Sequence, residues 1–204
     1  MKLTETTQSP DAALPLVPFR AHLRMGTGFG DDSLQDEVLL AFLRASLAAV
    51  EARTSKVLLA REFEWQVESW GAVANADGAS ARLPVAPVSA GVELAIVAPT
   101  GVETVVDVAR YQVVEDSQAP KLVALDAMLP LIPKGGAARL KFTAGLSADW
   151  EGLPADLRQA VLMLAAHYYE YREDRGLDAG CMPFGVSALL SRYRPLRLSL
   201  GVTA

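Results

Sequence analysis

The 204-residue sequence predicts an α+β fold, a bundle of two long and two short helices with an antiparallel β module inserted between them. Three observations carry this expectation. Apolar residues recur at three- and four-residue steps over 34–54 and again over 154–174, the period of an amphipathic helix. Between them, 61–150 switches to two-residue alternation broken by glycine and proline turns, the pattern of strands. The order helices, strands, helices is segregation rather than βαβ winding. With 51% hydrophobic and 21% charged residues, the chain has enough apolar surface for a real core.

The elements follow in order. Residues 1–17 are polar at first and predict a flexible N-terminus. A short helix is expected from Pro18 to Arg24, ended by Gly26. GTGFGDDS follows a helix rather than a strand, so its glycines lack the context of a dinucleotide fingerprint. Asp32 or Ser33 then caps the long helix 34–54, with Asp36 and Glu37 favourably placed in its first turn. Leu34, Val38, Phe42 and Val50, widened by Leu39, Leu43 and Leu47, give an apolar face broad enough for contacts on more than one side.

In EFEWQVESW, Phe63, Trp65 and Val67 alternate with Glu62, Glu64, Gln66 and Glu68, which predicts a half-buried strand. LPVAPV fits an extended edge segment because its prolines cannot join a central ladder. VELAIVA and VETVVDV around a PTG turn predict a hairpin, YQVVE and KLVAL a second pair, and AARLKFTAG a last strand, for five or six strands in all. Leu153-Pro154 opens the second long helix, whose stripe is Leu157, Val161, Leu164 and Tyr168. FGVSALLSRYR (184–194) is a short final helix and PLRLSLGVTA (195–204) an alternating tail. The expected organisation is thus 1–17, N-terminal helices 18–60, β module 61–150, C-terminal helices 151–194 packing on the N-terminal ones, and tail 195–204.

Net charge −5 argues against nucleic-acid binding by bulk electrostatics. The acid excess sits in the middle, whereas 179–204 holds Arg192, Arg194 and Arg197 and no acid. No apolar run approaches a membrane span and the N-terminus has no secretory h-region, so neither membrane nor export is expected. One cysteine, Cys181, excludes an internal disulfide framework, and His22 and His167 leave little for a zinc site.

HExxH, CxxC, GxSxG and P-loop patterns are all missing, and the carboxylate pairs lie in polar runs, so no catalytic residue, cofactor or metal is expected. His22 reads as a surface group and His167 as packed or interfacial. The unusual features are of the contact kind. AHYYEYRED (166–174) puts three tyrosines and an arginine close together on one helix, with Tyr168 and Tyr171 inward and Tyr169 turned elsewhere. Tyrosine and arginine are enriched in interface cores. RYRPLRLSL adds arginines and leucines at and past the end of the last expected helix, and such apolar residues need somewhere to dock.

Three segments resemble phage head–tail connector (adaptor) proteins. They are FRAHLRM…DDSLQDEVLLAFLRASLAAVEARTSKVLL, LPVAPVSAGVELAIV, and FTAGLSADWEGLPADLRQAVLMLAAHYYEYRED…MPFGVSALLSRYRPLRL. Together they span about residues 18–197, and the likeness is greatest to the adaptors of alphaproteobacterial gene transfer agents. Ser55 departs from the family pattern, where glycine commonly follows the threonine.

The resemblance implies a non-enzymatic ring, usually of twelve copies, in the particle neck. It would join the portal to the stopper and tail, with double-stranded DNA passing through its channel, after assembly in the bacterial cytoplasm. It also implies a portal interface at Arg192, Tyr193, Arg194, Leu196, Arg197, Leu198 and Leu200, and inter-subunit contacts at Leu39, Leu43, Tyr169 and Arg172. The alternatives are a stopper or tail-completion protein, which two long helices disfavour, a small soluble enzyme, and a nucleic-acid-binding module, which the net charge disfavours.

Overall fold

A computed structural model describes residues 1–25, 32–74, 78–172 and 182–194. The fold is mixed α+β, with four α-helices and antiparallel sheets among the described residues. The chain divides into two compact units: a β unit of 1–13 with 56–153, and a helical unit of 14–55 with 154–204.

In the β unit, β1 (Lys2–Glu5), β2 (Arg61–Val67), β4 (Val88–Val97), β5 (Glu103–Val105) and β8 (Ala137–Ala144) form a five-stranded antiparallel sheet in the order β1-β2-β8-β4-β5. The strands β3 (Ser80–Arg82), β6 (Tyr111–Val114) and β7 (Lys121–Ala124) form a second sheet in the order β3-β7-β6. Six of these eight strands match the sequence expectation. β1 corrects it, because Lys2–Glu5 pairs along β2 instead of fraying. β3 is also additional.

Alternation sets the core. Phe63, Trp65 and Val67 face inward beside Phe142, Leu140 and Ala138 of β8, with the Phe63 and Phe142 rings stacked at 5.9 Å. Tyr111 and Leu122 of the second sheet and Leu94 of β4 belong to the same core. Two register shifts interrupt β4 between Val88 and Glu93, around Gly91 at φ +67°. Tyr111 closes the irregularity: its hydroxyl accepts from the Leu94 N–H at 3.2 Å and donates to the Val92 carbonyl at 3.1 Å. Lys56 is buried, and its ammonium donates to the Ser117 carbonyl. Burial pulls its pKa down against the opposing pull of Asp116. Gly145 leaves the last strand where a Cβ would stand 2.3 Å from Ala60 Cα, so no side chain fits.

The helical unit contains α1 (Leu16–His22), α2 (Asp32–Thr54), α3 (Ala155–Glu170) and α4 (Phe184–Leu190), followed by a 3-10 turn at Ser191–Tyr193. Here α2 packs on α3, α4 on α3, and α1 on both long helices. The buried set is Phe19 from α1, Leu39, Leu43, Leu47 and Val50 from α2, Leu157, Val161 and Leu164 from α3, and Val186 and Leu190 from α4. Buried Ser46 and Thr54 bond back to the Leu43 and Val50 carbonyls of their own helix, so their hydroxyls are satisfied. An Arg20–Asp36 ion pair links α1 to α2.

Helix α2 ends on Ser55 at φ +56°, the left-handed conformation that glycine adopts without a Cβ penalty. The departure from the family pattern noted above therefore leaves the turn intact at a conformational cost. Ser55→Gly is expected to raise unfolding stability by about 0.5–1 kcal/mol, measured by denaturant titration. An unchanged or lower midpoint would show that the serine is not strained.

Candidate assembly surfaces

Helix α2 places its large side chains inward and its alanines outward. Leu39 and Leu43 are 1% and 0% exposed, so their apolar surface is already covered within the chain. The expectation that they meet a neighbouring copy is corrected accordingly. The outward face carries Val38, Ala41, Ala45, Ala48 and Ala52, all exposed and spaced three and four residues apart. That spacing is a helix-packing seam, and small residues let another backbone approach closely. The sequence holds this signal, but leucine periodicity on the opposite face overshadows it.

At the C-terminal end of α3, Tyr169 is half-buried and meets Phe42 of α2 edge-on, with ring centres 6.1 Å apart. Exposed Arg172 lies over the Tyr169 ring at 4.8 Å and donates to the Tyr169 carbonyl at 3.2 Å. Tyr169 thus joins the two long helices, and Arg172 forms its outer cover. Tyr168 is half-buried and its pKa is pushed up by desolvation. Tyr171, expected inward, is exposed in the turn that ends the helix and meets the His167 ring at a tilt, with ring centres 4.7 Å apart. His22 is exposed, as expected of a surface group. Phe184 at the start of α4 is 89% exposed, an unusual position for phenylalanine.

The root of the tail is built around Asp156. Its Oδ1 accepts from the Tyr193 hydroxyl at 2.8 Å and from the Leu157 N–H at 3.0 Å. Arg192 approaches its Oδ2 at 3.3 Å and lies over the Tyr193 ring at 4.9 Å. Tyr193 is buried, which corrects its assignment to an external docking surface: it packs at home, as a clamp. Arg192 and Arg194 are exposed. Leu196, Arg197, Leu198 and Leu200 lie outside the described residues, as does Cys181.

Burial, reinforced by the hydrogen bond to Asp156 and its charge, pushes the Tyr193 pKa up to about 12, with Arg192 acting the other way. The protonated phenol is the stabilised form. Its contribution is complete below the ordinary tyrosine pKa near 10 and is lost as pH rises toward about 12. Tyr193→Phe is expected to cost about 1.5 kcal/mol at neutral pH, the worth of a hydrogen bond to a charged acceptor. It should also flatten the fall in stability between these two pKa values. A variant whose alkaline unfolding curve overlays the parent's would remove the clamp.

A polar hollow of about 530 Å³ in the β unit is lined by residues including Glu68, Ser69 and Lys134. The Ser69 hydroxyl accepts from the Gly71 N–H at 3.3 Å and caps a turn. Among the described residues no group of His, Cys, Asp and Glu could hold a metal ion, and no helix is long and apolar enough to cross a membrane.

Comparison with solved structures gives near-full-length similarity. The chain is 47% identical to a chain in the neck of an empty gene transfer agent particle computed with C6 symmetry, covering 98% of this chain and 99% of that one at a TM-score of 0.86. It is 47% identical, with the same coverage and a TM-score of 0.82, to a chain in the virion of a native gene transfer agent particle. It is 44% identical, again with that coverage and a TM-score of 0.80, to a chain in the neck of a native particle computed with C12 symmetry. No family model and no curated protein matches the chain.

Proposed function

Because the chain belongs to the neck proteins of gene transfer agent particles, a structural virion component, we propose that it is the head–tail adaptor of such a particle. It forms a ring of twelve copies between the portal and the stopper and tail, does no catalysis, and leaves a channel for DNA. The observation that carries this reading is similarity over 98% of the chain to structures of the neck itself. An acidic protein suits a DNA channel, because each lysine or arginine on a phosphate adds salt-dependent affinity that would hinder sliding.

Within the ring, Tyr193 anchors the root of the tail while Arg192, Arg194 and residues 195–204 reach the portal, their excess of positive charge matched to an acidic partner surface. Neighbouring copies meet across the exposed face of α2 and the Tyr169–Arg172 edge of α3, and so close head to tail. Mixing the purified chain with its cognate portal ring and examining the product by electron microscopy tests this. An added ring beneath the portal is expected. A portal that remains bare, although the chain is folded, would count against the adaptor role.

A further inference from the structure

Among the described residues, no further strand pairs with the two edges of the five-stranded sheet, β1 and β5. All residues of both strands are exposed. The hydrogen-bond register identifies which backbone groups point away from the sheet. Thr6 donates to the Glu62 carbonyl, and Lys2 and Thr4 sit opposite Gln66 and Glu64, so the even residues of β1 point at β2. The N–H and C=O groups of Leu3 and Glu5 therefore point outward. On the far side, Val106 donates to the Leu94 carbonyl and Ala98 to the Val102 carbonyl, so the same alternation turns those of Glu103 and Val105 outward. Each edge presents two outward residues at the same spacing.

Direction and face also agree. Four antiparallel steps separate β1 from β5, so the two edge strands run the same way. A rotation of about 30° between ring neighbours nearly preserves strand direction, so β1 of one copy would lie parallel to β5 of the next. Lys2 shares a sheet face with Gln66, Arg139, Ala95 and Val105, the polar side, and Glu103 lies on that side too. Keeping this face continuous admits pairings that differ by two residues, and charge selects the one with Lys2 beside Glu103. Val105 of β5 and the flanking Val102 and Val108 are 61%, 63% and 71% exposed, apolar surface that an unpartnered edge would leave in water.

We infer that the occupant of each edge is a second copy of this chain: β1 adds in parallel to β5 of its neighbour, Lys2 beside Glu103, and makes the sheet continuous around the ring. The inference rests on the ring reading above. In this register the Leu3 N–H donates to the Glu103 carbonyl, the Val105 N–H to the Leu3 carbonyl, and the Glu5 N–H to the Val105 carbonyl. Thr4 covers Val105. The contact joins two different surfaces of the chain, so it propagates head to tail and closes only at the ring's rotation.

The test uses particles carrying Lys2→Cys and Glu103→Cys in a Cys181→Ser background. Strands about 4.8 Å apart bring such a pair within disulfide reach. Oxidation is expected to convert the chain into a ladder of covalent multimers, with each single variant remaining monomeric. Particles that contain the double variant but yield only monomer would overturn the edge pairing and leave the ring reading standing. Particles that lack the unmodified chain altogether would overturn both. If the double variant is not incorporated, Val105→Pro decides, because it removes an outward N–H and spares the bonds to β4. Exclusion of a folded Val105→Pro chain from particles supports the pairing, and full incorporation overturns it.

Discussion

Replacing Trp65 with alanine is expected to destabilise the β unit by about 4 kcal/mol, the range for emptying a fully buried aromatic site. Trp65 is 0% exposed and sits at the centre of β2, opposite Leu140 of β8. Its neighbours are strand-bound and cannot collapse into the space without breaking the register. The indole also holds a cost of its own, because Trp65 Nε1 is buried with no hydrogen-bond partner among the described residues. Trp65→Phe removes that orphan donor along with part of the volume, so the two effects offset and the expected loss is only about 1 kcal/mol. Denaturant titration of both variants checks the pair. A Trp65→Phe loss well above about 1 kcal/mol would mean that the indole nitrogen carries no penalty.

The second large effect is functional. Truncation after Arg194 removes residues 195–204 and is expected to abolish portal binding while leaving the unfolding midpoint unchanged. The clamp explains why these readouts separate. Tyr193 is fixed by Asp156 on α3, so the helical unit keeps its core, from Phe19 to Leu190, without the tail. The tail holds Leu196, Leu198, Leu200 and Arg197 and no acid. A truncated chain that binds the portal as well as the parent would move the interface elsewhere. A truncated chain that unfolds early would show that the leucines serve their own domain.

The sequence made most of the fold legible, because period-two and period-3.6 patterns are written by burial itself. β2 alternates throughout and β8 does so from Ala138 onward, each packing mainly one face. β1 went unread because KLTE is exposed throughout and carries no apolar alternation; its place comes from backbone bonds to β2. β3 is three residues beside small ones and has too little pattern to register. The first helix starts at Leu16 rather than Pro18, since proline fits anywhere in a first turn and marks its start only loosely.

The surfaces were less legible for a related reason. Periodicity reports which residues of α2 are apolar, not which side a partner covers. Leu39 and Leu43 are consumed by the chain's own helices, which leaves Val38 and the alanines outside. Tyr193 was equally opaque, because its partner Asp156 lies 37 residues earlier and no local pattern links them.

A reconstruction of intact particles at side-chain resolution measures the central claim most directly. Twelve copies of this chain are expected beneath the portal, with residues 195–204 of each seated against a portal subunit. Finding the chain elsewhere in the particle, or finding those residues folded back on their own helices in the assembled neck, would contradict it.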